Sequence, residues 1–148
     1  MPNVFISIFT LALSLSLFTS NASAEAIKSE SELPQISELF MNKLFAGDTK
    51  AAYDELSKYV SGAPEEFTGA SMKAIGMMTE AKSRLGEPLK YDLVRSEKIG
   101  DYFRRHNYLL LFPTTALVWE ITYYRAGKDW NVVGVNYGAR LDYLFEPM

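Results

Sequence analysis

The chain has 148 residues, with 15 basic and 18 acidic side chains, one histidine, no cysteine and a formal net charge of −3. This length suits one domain with a substantial hydrophobic core. The lack of cysteine excludes disulfides, thiolate nucleophiles and cysteine-based metal sites. The mildly acidic balance, without a cluster of lysine and arginine, argues against binding to nucleic acid.

Residues 1–24 contain no charged side chain, and Val4 to Phe18 form an apolar run broken only by serine and threonine. The small residues Ala22 and Ala24 then suit a signal-peptidase site, although the amino terminus lacks the usual basic residue. A retained membrane anchor is the alternative, but the run is shorter than the roughly 20 residues that span a bilayer. We therefore expect cleavage after Ala24 and export of one domain, residues 25–148, to the periplasm or the exterior, with no membrane anchor.

After a short polar lead-in at 25–30, apolar residues recur every three to four positions in three segments, which predicts three amphipathic helices. A capping box at Ser29 and Glu32 begins the first helix. Asp48 caps the second, and the third spans about 65–85. The predicted inward faces carry Leu33, Ile36, Phe40 and Leu44, then Ala52, Leu56, Tyr59 and Val60, then Phe67, Ser71, Ala74, Ile75, Met78, Ala81 and Leu85.

Gly69 and Gly76 each weaken the third predicted helix by roughly 1 kcal/mol relative to alanine. We favour the interpretation that they let another backbone approach closely. The alternative is that Gly76, Met77 and Met78 form a flexible edge over a pocket, since methionine adapts readily at binding surfaces.

From Pro88 onward the apolar period changes to two, which predicts four strands. They span about 89–98, 102–112, 115–125 and 130–137. Short turns between them favour an antiparallel meander, in which Trp119 and Tyr123 face the helices and Glu120 faces away. The predicted fold is therefore α+β, with three N-terminal helices packed on one face of a curved four-stranded antiparallel meander. The apolar segment 141–145 is expected to dock as a short strand or turn.

Four parts of the sequence carry a resemblance to a known superfamily. They are Phe45–Asp48 with Ala51–Tyr53, Arg84–Gly86, Trp119–Thr122 and Gly127–Val135. In this arrangement the chain resembles the nuclear-transport-factor-2-like superfamily (the α+β cone), which includes exported bacterial families of unassigned function. The resemblance implies a concave pocket between sheet and helices and a homodimer through the outer sheet face. It implies no single reaction, because the fold hosts isomerases, dehydratases, transport factors and structural modules.

Enzymes of that superfamily use a pocket aspartate, or a His–Asp pair, for acid–base chemistry. Here the single histidine, His106, lies early in the second strand on the same side as Arg104 and Tyr108. A nearby Arg104 would lower the pKa of His106 and leave a neutral imidazole that can act as a base. The interpretation we favour is a hydrogen-bonded or solvent-facing strand residue.

Glu120 is the second catalytic candidate, because it lies in an otherwise apolar strand. If buried, its carboxyl would have a raised pKa and could serve as a general base. We favour a structural role, in which Glu120 faces water or a dimer interface and pairs with a cross-strand lysine or arginine. No ligand cluster predicts a metal, and no phosphate loop or dinucleotide motif predicts a cofactor.

Tyrosine and tryptophan are concentrated in the predicted sheet, where they suit a small apolar ligand, a protein interface or simply the core. For a ligand between the third helix and the sheet, the candidate contacts are Trp119, Tyr123, Tyr108 and Met78. We expect a non-enzymatic domain that binds a small ligand or a protein partner. The alternatives are an isomerase- or dehydratase-like enzyme that uses His106 or Glu120 with a tyrosine hydroxyl, and a self-associating structural protein of the cell envelope.

Overall fold

The structure, a computed structural model, describes residues 24–147. The predicted signal peptide ends at the first of these residues and otherwise lies outside them, so its cleavage stays a prediction. Every helix within 24–147 is too short or too polar to cross a bilayer.

Three α-helices precede a four-stranded sheet, and a short 3-10 helix lies at each end of the chain that the structure describes. The elements are a 3-10 helix at Glu30–Glu32, α1 at Leu33–Phe45, α2 at Thr49–Ser57, α3 at Pro64–Leu85, β1 at Lys90–Ile99, β2 at Phe103–Leu111, β3 at Ala116–Tyr124, β4 at Asn131–Gly138 and a 3-10 helix at Asp142–Phe145. The four strands and α3 begin and end within one residue of their predicted bounds, because apolar periodicity and turn residues both mark these boundaries.

Local hydrogen bonds set the helix starts as predicted. The Glu32 carboxylate accepts the Ser29 N–H at 2.7 Å and Ser29 Oγ accepts the Ser31 N–H at 3.2 Å, so the capping box fixes the turn before α1. Asp48 Oδ1 accepts the Ala51 N–H at 2.9 Å and caps α2. Gly47, with φ of 89°, makes the sharp corner between α1 and α2 that a side chain would disfavour.

The sheet is an antiparallel meander with the strand order β1-β2-β3-β4. One extra residue interrupts the register in β1, at Val94, and another in β4, at Val133. Such bulges increase the local bend and twist of a strand. The fold is therefore α+β, with the helices N-terminal to the sheet.

The core lies between the helices and the inner face of the sheet, which carries Trp119 and Tyr123. The ring of Phe40 in α1 lies 5.5 Å from the ring of Tyr53 in α2 and 5.7 Å from that of Trp119. All four side chains are buried. The prediction that the Trp119 side of β3 faces the helices is confirmed.

The expectation for the two glycines of α3 is wrong. A Cβ placed on Gly69 or Gly76 would meet no atom within 4 Å outside the neighbouring turns of its own helix. No other backbone therefore approaches either position, and the glycines only lower the helix propensity of α3.

The C-terminal segment docks on the outer face of the sheet, opposite the helices, as a 3-10 turn. Arg95 Nη1 in β1 donates to the carbonyl oxygens of Tyr143 and Glu146, at 3.0 and 3.1 Å. Leu144 lines a small cavity together with Leu109 of β2. The chain thus covers part of its own outer sheet face, and a dimer through that face stays a prediction.

Candidate functional site

A cavity of about 590 Å³ opens at the edge strand β1, next to the 3-10 helix that precedes α1. We call it the edge cavity. Its lining consists of Glu30, Ser96, Lys98, Arg104 and His106, with contributions from Arg95 and Glu97. Four other cavities in the described chain are smaller, at about 150 to 420 Å³. The edge cavity contains one of the two predicted catalytic candidates.

Strand register brings most of these side chains together. Ser96 pairs with His106 and Lys98 pairs with Arg104 across β1 and β2. Because side chains alternate along a strand, all four lie on the inner face of the sheet. Glu30 reaches them from the 3-10 helix, whose position the capping box fixes.

Arg104 is held rigidly at the cavity. Its Nη1 donates to the carbonyl oxygens of Gly100 and Phe103, at 2.9 and 2.7 Å, and its guanidinium carbon lies 5.1 Å from the centre of the Trp130 ring. Its Nε and Nη2 donate to the two carboxylate oxygens of Glu30, at 2.6 and 2.9 Å. This fork is the geometry in which arginine binds a carboxylate most strongly. The Arg104 guanidinium in turn holds the pKa of Glu30 below its usual range.

His106 is held from behind by two buried hydroxyl groups. Its Nδ1 lies 2.8 Å from Ser37 Oγ in α1, and Ser37 Oγ lies 2.6 Å from the Tyr123 hydroxyl oxygen in β3. Nε2 has no hydrogen-bond partner among residues 24–147. Solvent reaches it, because it is not among the buried atoms of these residues that lack a partner. It therefore faces the edge cavity, which His106 lines. His106 as a whole is 7% exposed.

The tautomer of His106 is coupled to the two hydroxyl groups, because each hydroxyl has one hydrogen to donate. If Tyr123 donates to the Leu33 carbonyl, 3.2 Å away, then Ser37 donates to Tyr123 and His106 carries its proton on Nδ1. If Tyr123 donates to Ser37, then Ser37 donates to Nδ1 and His106 carries its proton on Nε2. The same site can thus present either an acceptor or a donor to the cavity.

Burial lowers the pKa of His106, so the imidazole is neutral near pH 7. We predicted the direction of this shift but assigned it to Arg104, and that cause is wrong. The positive charge of Arg104 is neutralised by its ion pair with Glu30. The negative charge of Glu30 raises the pKa of His106, which is opposite to the effect of burial. Burial also raises the pKa of Tyr108, to about 12, and that of Tyr123.

Glu120 lies on the opposite face of the sheet from His106. Its carboxylate is 4.0 Å from Nη1 of Arg105 on the neighbouring strand, as in the pairing we favoured. It lines a separate cavity of about 220 Å³ near Tyr143. The two catalytic candidates are therefore not brought together.

The four predicted ligand contacts do not surround one cavity either. Trp119, Tyr108 and Tyr123 are at most 1% exposed and pack in the core. Met78 lines a different cavity, of about 420 Å³, beside Gly47 at the α1–α2 corner. Among residues 24–147, no three histidine, aspartate or glutamate side chains come together as metal ligands.

Sequence reasoning missed Ser37 and Glu30. Ser37 interrupts the apolar stripe of α1, between the buried Leu33 and Phe40, and a polar residue in that position signals a buried hydrogen bond. Glu30 carries no such signal, because it lies in the polar lead-in.

We expect the free energy of unfolding to fall as the pH is lowered from 6.5 to 5. The unfolded chain binds a proton at His106 with an ordinary pKa near 6.5, whereas the folded chain, whose His106 pKa is lowered, binds it only at lower pH. Acid therefore favours the unfolded chain, with a slope of up to about 1.4 kcal/mol per pH unit. Urea denaturation at several pH values measures it.

The matched control is His106→Gln, which cannot be protonated and should lose this slope. Glu30 does not confuse the result, because its lowered pKa places its contribution below pH 4.5, where stability is lost as the carboxylate is protonated. An equal slope between pH 5 and 6.5 in both proteins would contradict the prediction.

Comparison with known proteins gives no relative. No protein-family model, no curated protein and no solved structure matches the chain. The residues of the edge cavity are therefore the basis on which a function can be assigned.

Proposed function

We propose that this protein is a non-enzymatic binding domain that holds a small polar ligand in the edge cavity. The observation that carries the proposal is the preorganised pair at the cavity wall, His106 and Arg104. His106 is oriented by Ser37, and Arg104 is oriented by two backbone carbonyls and the ring of Trp130.

Preorganisation favours binding because little rotamer freedom remains to be lost when the ligand arrives. Ligand sites characteristically combine a concave surface with a few fixed polar groups that set orientation. The side chain of Arg104 is only 12% exposed, and its anchors lie within β2 and the turn before it. A ligand would therefore meet a rigid donor group and a rigid imidazole.

Binding fits the site better than acid–base catalysis does. In catalytic histidines a carboxylate commonly holds the second ring nitrogen and supports the charge that develops on the ring. Here a neutral hydroxyl, that of Ser37, occupies that place, and burial lowers the pKa of His106, which makes it a weak base. The Tyr123 hydroxyl, whose pKa is raised, lies behind Ser37 in the core.

We further propose that binding takes place outside the cytoplasm, in the periplasm or the exterior, as the predicted signal peptide indicates. If the chain has the nuclear-transport-factor-2-like fold, ligands would bind between the sheet and the helices. In this chain the middle of that space is filled by Trp119 and Phe40, and open volume lies at the β1 edge.

The test is a screen of small polar compounds by nuclear magnetic resonance, with the protein labelled with ¹⁵N. We expect binding compounds to shift the ring signals of His106 and the Nε–H signal of Arg104. His106→Leu should weaken binding about five- to tenfold, the effect of one lost hydrogen bond. Glu120→Gln, a change on the opposite sheet face, is the control and should leave affinity unchanged.

Two outcomes would contradict the proposal. One is that no compound in the screen shifts the His106 or Arg104 signals. The other is that a compound bound at the cavity is converted to a product at a rate that His106→Leu abolishes, which would establish catalysis instead of binding.

A further inference from the structure

The contacts of Arg104 also indicate which class of ligand the edge cavity takes, an inference that rests on the proposed function. We infer that the ligand is a small organic acid whose carboxylate replaces the Glu30 carboxylate on the Arg104 fork. Glu30 is then an internal stand-in for the ligand, held in place while the cavity is empty.

The two partners of this ion pair are held very differently. The Arg104 side chain is 12% exposed, and Nη1 is anchored by the carbonyls of Gly100 and Phe103. The Glu30 side chain is 52% exposed, and Arg104 is its hydrogen-bond partner within residues 24–147. If the pair separates, Glu30 can turn into water while Arg104 stays.

An anion is the replacement for Glu30 that best restores the contacts of Arg104. A largely buried guanidinium that loses its carboxylate is strongly disfavoured, because its desolvation is no longer offset. Water restores only part of that interaction, because a guanidinium binds a carboxylate more strongly than it binds a neutral oxygen. The exchange of one carboxylate for another keeps both N–H···O bonds and so avoids this cost.

The fork itself favours a carboxylate over other anions. Nε and Nη2 each donate to a different oxygen of Glu30, at 2.6 and 2.9 Å, a side-by-side arrangement that a planar carboxylate reproduces. The remaining charges agree with this choice. With Glu30 displaced, the inner-face lining carries Lys98 and Arg104, whereas the charges of Arg95 and Glu97 pair with each other on the outer face.

The edge cavity is larger than a simple inorganic anion requires. Its volume of about 590 Å³ leaves room for an organic group attached to the carboxylate. His106 Nε2 is a polar group that can contact this organic group, and Ser96 and Lys98, the cross-strand neighbours of His106 and Arg104, also line the cavity. The ligand class is therefore a small organic acid, and a polar substituent would gain a contact with His106.

The experiment is an isothermal titration of the protein, as isolated from its host cell, with lactate and benzoate. Their amides, lactamide and benzamide, serve as neutral probes of the same shape, and methyl phosphate probes the competing anion class. We expect the acids to bind at least tenfold more tightly than their amides and more tightly than methyl phosphate. The resonance of Arg104 Nε–H should move with the acids.

Glu30→Gln is the decisive variant, because it keeps the length of the side chain and removes the competing charge. It should tighten binding of the acids about five- to tenfold. Asp92→Asn, which removes one negative charge from an exposed position on β1, is the control and should change affinity less than twofold. Arg104→Lys retains the charge without the fork and should weaken binding of the acids at least tenfold.

Failure of this inference differs from failure of the proposed function. Three outcomes would contradict a carboxylate ligand but leave the cavity as a binding site. They are amides that bind as tightly as the acids, stronger binding of methyl phosphate, and an unchanged affinity in Glu30→Gln. If none of the probes moves the signals of Arg104 or His106, and the broader compound screen also leaves them unmoved, both are overturned.

Discussion

Phe40→Ala is expected to lower the free energy of unfolding by about 3–5 kcal/mol, the range for removing a large aromatic side chain from a core. Phe40 is completely buried, and its ring touches those of Tyr53 and Trp119. These contacts join α1, α2 and β3. The substitution therefore leaves a void where the helices meet the sheet, and the strands cannot close it without losing register.

Urea denaturation followed by tryptophan fluorescence measures this loss, since Trp119 reports directly on the site. Leu39→Ala is the matched control, because Leu39 precedes Phe40 in α1 but is 42% exposed, and it should cost well under 1 kcal/mol. If the two substitutions cost the same, the centre of the domain is loosely packed. The space beside Trp119 would then again be a candidate ligand pocket.

The elements of the fold were predictable because their signals are local. A period of two and a period near 3.6 can each be recognised within about ten residues, and Gly47, Asp48 and the capping box mark the helix ends within four. The same alternation placed Trp119 toward the helices and Glu120 away from them. None of these conclusions required knowledge of which strand lies next to which segment.

The edge cavity was not predictable, because its decisive contacts join distant parts of the chain. Glu30 and Arg104 are 74 residues apart, and Ser37 and His106 are 69 apart. A polar lead-in next to a capping box gives no indication that one of its carboxylates reaches β2. Only the position of the 3-10 helix beside the sheet edge brings the two together.

The role of the aromatic residues could not be predicted from composition either. Tyrosine and tryptophan suit a ligand pocket and a core equally well, so composition cannot separate the two. Here Tyr108, Trp119 and Tyr123 are buried, and Tyr123 acts through its hydroxyl, which holds Ser37. The aromatic residues thus shape the site indirectly, by fixing the hydrogen bond that orients His106.

Glu97→Leu is expected to lower the free energy of unfolding by about 2–3 kcal/mol, less than for a fully buried ion pair because Glu97 keeps some contact with water. Glu97 Oε2 accepts from Arg105 Nε at 2.9 Å and from Asn107 Nδ2 at 3.0 Å, and Glu97 Oε1 lies 3.5 Å from Arg95 Nε. Asn107 is completely buried. Leucine would leave its amide and both guanidinium groups without this partner.

The loss should extend to the C-terminal segment, because Arg95 also donates to the carbonyls of Tyr143 and Glu146. Hydrogen exchange at the Leu144 amide, which donates to the Leu141 carbonyl, should therefore become faster in Glu97→Leu. Asp92→Leu, on the same strand but paired with Lys90 at the surface, is the control and should change stability by less than about 0.5 kcal/mol. Equal effects of the two substitutions would mean that the outer-face network holds neither Asn107 nor the C-terminal turn. The sheet would then owe its stability to the Trp119 side alone.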